Sequence, residues 1–256
     1  MSRFIVHAKS DTGQVRQKNE DNVYTHCDDE YCLLIVCDGM GGHEAGEEAS
    51  RIAVQILVRS LSRESPYNLY ADLMLQALKK ADQRVYEQSI RLNTPSMGTT
   101  ASVVLQRNNM LYVGWVGDSR IYLFRRDGNQ YFQYLKTADH NNKTTAEKNN
   151  LPPPKGKGNA LNQAIGGGVQ GVEPSTYRGF SFQQGDLILI CSDGLTDMVC
   201  DQQIKQIIHE VPFDQLVEHL VDAANEQEGK DNISVVAMGD YTTQTFVKRA
   251  RPRKKK

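Results

Sequence analysis

No apolar run in this 256-residue chain approaches the ~18 residues needed to cross a bilayer, and Met1–Thr12 holds no secretory-type apolar stretch. Membrane spanning and export by that route are not expected. The five cysteines, Cys27, Cys32, Cys37, Cys191 and Cys200, are odd in number and contain no Cys-x-x-Cys pair. That fits neither a disulfide framework nor a zinc ribbon and points to a reducing, cytoplasmic compartment. His7, His26, His209 and His219 are scattered without metal-ligand spacing. No internal repeat is evident. Charge of one sign is also missing: 30 basic residues face 31 acidic ones, a net of −1.

What is present suffices for a folded domain. Residues of hydrophobic type make up 39% and charged ones 24%, too apolar for a disordered chain and enough for a sizeable core. Short β-rich runs recur at Phe4–Ala8, Cys32–Cys37, Thr100–Leu105, Leu111–Val116, Ile121–Phe124, Leu187–Cys191 and Ile233–Met238. Five residues between Leu105 and Leu111 predict an antiparallel hairpin. Helical spacing appears at Ala49–Leu61, Tyr70–Val85 and Phe213–Ala224. Two helices in succession, then strands, then helices predict an α+β arrangement of sheets packed with helices.

Two segments stand apart. Asn141–Asn159 contains Pro152-Pro153-Pro154 and Lys155-Gly156-Lys157-Gly158 and has almost no apolar residues, which predicts an exposed, mobile loop. Residues 248–256 carry seven positive charges, leaving −8 on the first 247. The expected organisation is one domain over 1–247, a flap-like loop at 141–159 and a disordered basic tail at 248–256. That tail offers contact with an anionic partner.

The most informative pattern is acidic residues at the ends of apolar runs. Leu33–Cys37 leads into Asp38-Gly39, Tyr112–Val116 into Gly117-Asp118, and Leu187–Cys191 into Ser192-Asp193-Gly194; Asp231-Asn232 precedes Ile233, and Glu20-Asp21 precedes another strand. Any one of these is an ordinary turn. Several carboxylates gathered beside a core repel each other unless protonated or neutralised, and Mg²⁺ or Mn²⁺ suits such an oxygen-rich set.

These motifs identify a resemblance to the metal-dependent protein phosphatases of type 2C, in their compact bacterial form. Asp11-Thr12-Gly13-x-x-Arg16-x-x-Asn19-Glu20-Asp21, Val36-Cys37-Asp38-Gly39-Met40-Gly41-Gly42 and Gly98-Thr99-Thr100 come first. Gly117-Asp118-Ser119-Arg120, Thr137-Ala138-Asp139-His140, Leu187–Gly194 and Lys230-Asp231-Asn232-Ile233 follow in family order. The resemblance implies a β-sandwich of two antiparallel sheets flanked by pairs of helices, with a metal site at one edge. It implies hydrolysis of phosphoserine and phosphothreonine by a water or hydroxide bridging two Mn²⁺ or Mg²⁺ ions, without a phosphoenzyme. Asp38 would bridge the ions, Asp193 and Asp231 would complete one, the Gly39 carbonyl would serve the other, and Glu20 would act through a water. Asp118 with Asp193 matches a weaker third ion, and Arg16 matches the guanidinium that grips phosphate. Phosphoprotein substrates, an opposing Ser/Thr kinase and a monomeric state complete the expectation.

Two departures qualify it. Met40 stands where many eukaryotic members have a proton-donating His; His43 is a weaker substitute than metal-held water. The 141–159 loop takes the place of the family's flap, which in bacterial members includes a helix-forming stretch, and its poor apolar content departs from that pattern. Two other readings stay open: a pseudophosphatase-like binding module, against which Asp38, Asp118, Asp193 and Asp231 all speak, and a nucleic-acid-associated protein acting through its tail. Trp115 is expected in the core. Thr99 and Thr100 are expected to be plain strand residues.

Overall fold

The computed structural model describes residues 4–42, 44–62, 69–128, 130–152, 156, 158–168 and 171–240. His43, the 248–256 tail and part of the 141–159 loop lie outside them.

The chain opens with β1 (Phe4–Asp11), β2 (Asn22–Cys27), β3 (Tyr31–Cys37) and the two-residue β4 (Gly39–Met40). Helices α1 (Glu44–Leu61) and α2 (Tyr70–Leu92) follow. Then come β5 (Gly98–Thr99), β6 (Ala101–Arg107), β7 (Met110–Val116), β8 (Arg120–Asp127) and β9 (Gln130–Lys136). After α3 (Asn142–Lys148) come β10 (Ser175–Ser181), β11 (Leu187–Cys191), α4 (Asp193–Thr196), α5 (Asp201–Glu210), α6 (Leu216–Glu226) and β12 (Ile233–Asp240). One sheet has the order β1-β12-β11-β8-β9 and the other β10-β7-β6-β3-β2, with every pairing antiparallel. The fold is the α+β sandwich expected.

Three apolar layers explain why the central strands read as continuous hydrophobic runs. Leu34, Val36, Val104, Ile121, Ile190 and Val236 fill the space between the sheets. Alternate residues Leu33, Ile35 and Cys37 of β3 point the other way, against α1 and α2. Leu189, Cys191, Val235 and Ala237 do the same against α5 and α6. Both faces are covered, so polar alternation disappears. Truncating any of the leucines or isoleucines among them to Ala would cost ~2–5 kcal/mol, enough to fix strand register against the weaker preferences of the turns.

The β6–β7 hairpin turns through Asn108 and Asn109, both at positive φ (52° and 60°), the paired left-handed geometry that suits Asn and matches strand twist. The loop expectation needs correction. Residues 142–148 form a helix because Asn141 caps it, its side chain accepting from the Thr144 N–H, and Ala146 is buried beneath. The cysteine expectation is also corrected at one pair: Cys27 and Cys32 face each other across the β2–β3 hairpin and form a disulfide. Cys37 and Cys191 are buried free thiols and Cys200 an exposed one. No helix among the described residues is long and apolar enough to cross a membrane.

Candidate metal and phosphate site

Strand register gathers the acidic residues at one end of the sandwich. Asn22 pairs with Cys37, so Glu20 and Asp21, just before β2, come beside Asp38, just after β3. Cys191 pairs with Val235 and Asp11 with Ile233, so Asp193 and Asp231 emerge at the same edge. The turn from β7 to β8 adds Asp118. There Asp38, Asp118, Asp193 and Asp231 line a cavity of about 690 Å³ with Arg16, Glu20 and Gly39. All seven sequence-derived candidates, Arg16, Glu20, Asp38, Gly39, Asp118, Asp193 and Asp231, therefore share one pocket.

The electrostatics of this pocket favour a cation. Asp38 is held well above the usual carboxylate range by burial, then by the charges of Asp21 and Asp193. Burial, then Asp193 and Asp139, pushes Asp118 up to about 7. Burial with Asp197 and Asp231 takes Asp193 to about 6. Asp21, behind the pocket wall, reaches about 7 through burial, opposed by hydrogen bonds from Ser234 and Ser192. One of its oxygens is buried without a hydrogen-bond partner among the described residues. Opposing this excess negative charge is Arg16, whose Nη2 donates to Asp231 Oδ2 at 2.7 Å. No three His, Cys, Asp or Glu side chains among the described residues are grouped closely enough to close on one ion as they stand. The oxygen donors and their shared charge nonetheless fit hard divalent cations, and among the described residues no histidine or cysteine lines the pocket to make a zinc-type set.

Residues not anticipated as functional hold this pocket in shape. Thr100 Oγ1 accepts from the Asp38 N–H at 3.0 Å, while its own N–H donates to the Asp38 carbonyl at 2.8 Å. Thr99 Oγ1 donates to that same carbonyl at 2.8 Å. The two threonines thus clamp the Asp38 backbone, correcting their reading as plain strand residues. Asn232 accepts from the Glu20 N–H and donates to the Thr12 and Lys18 carbonyls, tying the Arg16 loop to the start of β12. Gly46 of α1 leaves room for Glu20: a Cβ there would lie 2.2 Å from Glu20 Oε2. The juxtaposition of Gly39 with the carbonyl of Gly46, which a Cβ on Gly39 would meet at 2.3 Å, belongs to the same close approach. Gly39 and Gly46 stand seven residues apart, and that spacing alone does not reveal which backbones touch. Trp115 is buried as expected, its indole N–H donating to the Ala138 carbonyl.

Comparison with known proteins agrees with this geometry. The family model described as Protein phosphatase 2C matches residues 11–236. A serine/threonine phosphatase (stp) of Listeria monocytogenes is 31% identical over 253 residues, covering 92% of this chain and 96% of that protein. The crystal structure of the Mycobacterium tuberculosis phosphatase PstP superposes with a TM-score of 0.80 at 30% identity, covering 92% of this chain and 98% of that one. A PstP catalytic domain in complex with two manganese ions gives 0.78 at 32% identity, covering 92% and 97%. With the match spanning nearly all of the sandwich and its acidic edge, the chain belongs to the protein phosphatase 2C family.

Proposed function

We propose that the chain removes phosphate from phosphoserine and phosphothreonine in proteins, holding two Mn²⁺ or Mg²⁺ ions on Asp38, Asp193, Asp231 and the Gly39 carbonyl. The observation that carries this reading is the convergence of those residues with Arg16 in one pocket. Bound there, the cations would lower the pKa of water and screen the charge of the phosphate. Asp38, anchored by Thr99 and Thr100, presents its carboxylate at the pocket floor. Asp193, at the first turn of α4, and Asp231, next to Asn232, supply the opposing oxygens. Glu20 acts through a water, and Asp118 with Asp193 is the candidate pair for a weaker third ion.

Arg16 is the phosphate grip. Its guanidinium can present two parallel N–H donors to phosphate oxygens, orienting phosphorus for in-line attack. Met40 carries no transferable proton, so the leaving oxygen takes its proton from solvent held in the site.

Residues 1–247 act as one catalytic unit on this reading, as a monomer, opposing a Ser/Thr kinase in the cytoplasm. The free thiols of Cys37, Cys191 and Cys200 suit that compartment, in which the Cys27–Cys32 bridge is a local clip on one hairpin. The basic 248–256 segment is the candidate contact for an anionic partner. Phosphate release from phosphothreonine peptides, measured with Mn²⁺ and then with excess chelator, tests the reading. Activity should require the metal. Turnover at full rate in chelator would overturn it.

A further inference from the structure

Asp82 lies on the buried face of α2, 3% exposed, among Leu78, Ala81 and Val85. An aliphatic residue would suit that face, and a buried carboxylate is costly unless its oxygens are satisfied. They are satisfied by one loop. Asp82 Oδ1 accepts from the Gly166 N–H at 2.8 Å, and Oδ2 from the N–H groups of Gly171 and Val172 at 3.1 and 3.3 Å. Charge-assisted bonds of this kind are stronger than neutral ones.

That loop continues into the pocket. Ile165, beside Gly166, exchanges two hydrogen bonds of 2.9 Å with Thr99. Upstream, residues 158–162 pair back to the start of α3: Lys143 N–H donates to the Gly158 carbonyl, Asn142 N–H to Ala160, and Asn162 N–H to His140. Between these two fixings, Asn159 and Leu161 line the pocket. Segment 158–166 is thus a pocket wall held at one end by the start of α3 and at the other by Thr99 together with Asp82.

We infer that Asp82 is a positioning residue that holds this wall and so governs how the site receives a phosphoprotein, rather than how it cleaves the phosphate ester. The inference rests on the phosphatase reading above. Asp38 keeps both of its Thr100 hydrogen bonds without Asp82, so the floor of the site has its own support. A small aryl phosphate needs only that floor. A phosphoprotein must also seat the residues flanking its phosphate against the wall.

The test is Asp82→Asn, which preserves size but turns an amide N–H₂ toward N–H donors. Its kcat/KM on a phosphothreonine protein should fall ~10–100-fold, mainly through KM, while that on p-nitrophenyl phosphate stays within about threefold. Backbone amides of 158–166 should exchange faster with deuterium, those of β12 unchanged. Mn²⁺ affinity should not move. Equal losses on both substrates would overturn the inference, as would unchanged kinetics on both. Should Asp82→Ala fail to fold, the Asn variant still decides. If the wild-type protein hydrolyses neither substrate, it is the phosphatase reading that fails. The exchange measurement then still judges the anchor, and unchanged exchange at 158–166 refutes it.

Discussion

Arg16 Nη2 sits 2.7 Å from Asp231 Oδ2, so the proposed phosphate grip rests on a proposed metal ligand. The two side chains are 50% and 37% exposed, and exposed pairs of this kind are worth only ~0–1 kcal/mol. Arg16 can therefore leave Asp231 for a phosphate at little cost, and a cation arriving at Asp231 competes with a weak partner.

Arg16→Ala separates the two roles. Loss of a charge-assisted phosphate contact of ~2–3 kcal/mol should lower kcat/KM roughly 30–150-fold. Mn²⁺ affinity, measured by calorimetry, should be unchanged or tighter, because a competing cation is gone. An unaltered kcat/KM on phosphopeptides would place Arg16 outside the reaction.

Asp38→Asn and Asp231→Asn each remove a negative charge with little change of volume. Both should abolish phosphatase activity while circular dichroism and gel filtration stay as in the wild type. In the metal-free state Asp38→Asn should also raise the melting temperature, since its burial is the first cause of its elevated pKa and a neutral amide escapes the repulsion from Asp21 and Asp193. Retained Mn²⁺-dependent turnover in either variant would contradict the ligand assignment.

The runs ending in Asp38, Asp118 and Asp193 were legible because strands covered on both faces lose alternation and their acidic ends then stand out. The helices α1, α2 and α6 were legible for the converse reason, a sustained apolar stripe. Strands β9 and β10 were not. They are the edges of their sheets, and β9 buries Tyr131 while leaving Phe132 and Tyr134 half-exposed, so no apolar run marks it. Helix α3 was hidden because its stability comes from the Asn141 cap and not from an apolar face. The Thr99–Thr100 clamp, Gly46 and Asp82 were invisible as functional residues. Each acts through contacts with segments far away in sequence, and nothing in local composition distinguishes them.

Gly46→Ala probes one such contact. The new methyl would meet Glu20 Oε2, the end of a flexible side chain, at 2.2 Å, so Glu20 must swing away. Alanine gains ~0.8–1 kcal/mol of helix propensity, offsetting part of the strain against the Gly39 backbone. The melting temperature should therefore change little, while Mn²⁺ affinity or kcat/KM falls ~10–100-fold, as for other residues that orient ligands. A large drop in melting temperature with unchanged metal affinity would make Gly46 a packing residue only.

Proton and metal binding should compete at this site. In the metal-free protein Asp21 and Asp118 lie near 7 and Asp193 near 6, and Asp38 is held well above the carboxylate range, whereas an unfolded Asp titrates near ~3.9. Between about pH 4 and 7 the native state thus holds protons that the unfolded chain has released, and native stability falls as pH rises through that window. Asp28, lowered to about 2 chiefly by hydrogen bonds from the Tyr31 and Glu30 backbones, acts oppositely, but only below about pH 4. Asp186, raised to about 6 by burial, moves with the cluster but is not in the pocket. The difference between chelated and Mn²⁺-saturated protein cancels its contribution. Thermal melts should show the chelated protein less stable at pH 8 than at pH 5.5. The rise in melting temperature on adding saturating Mn²⁺ should be larger at pH 8, where the metal no longer has to displace protons. A Mn²⁺-induced rise that is equal at both pH values would mean that the pocket carboxylates do not hold the cations.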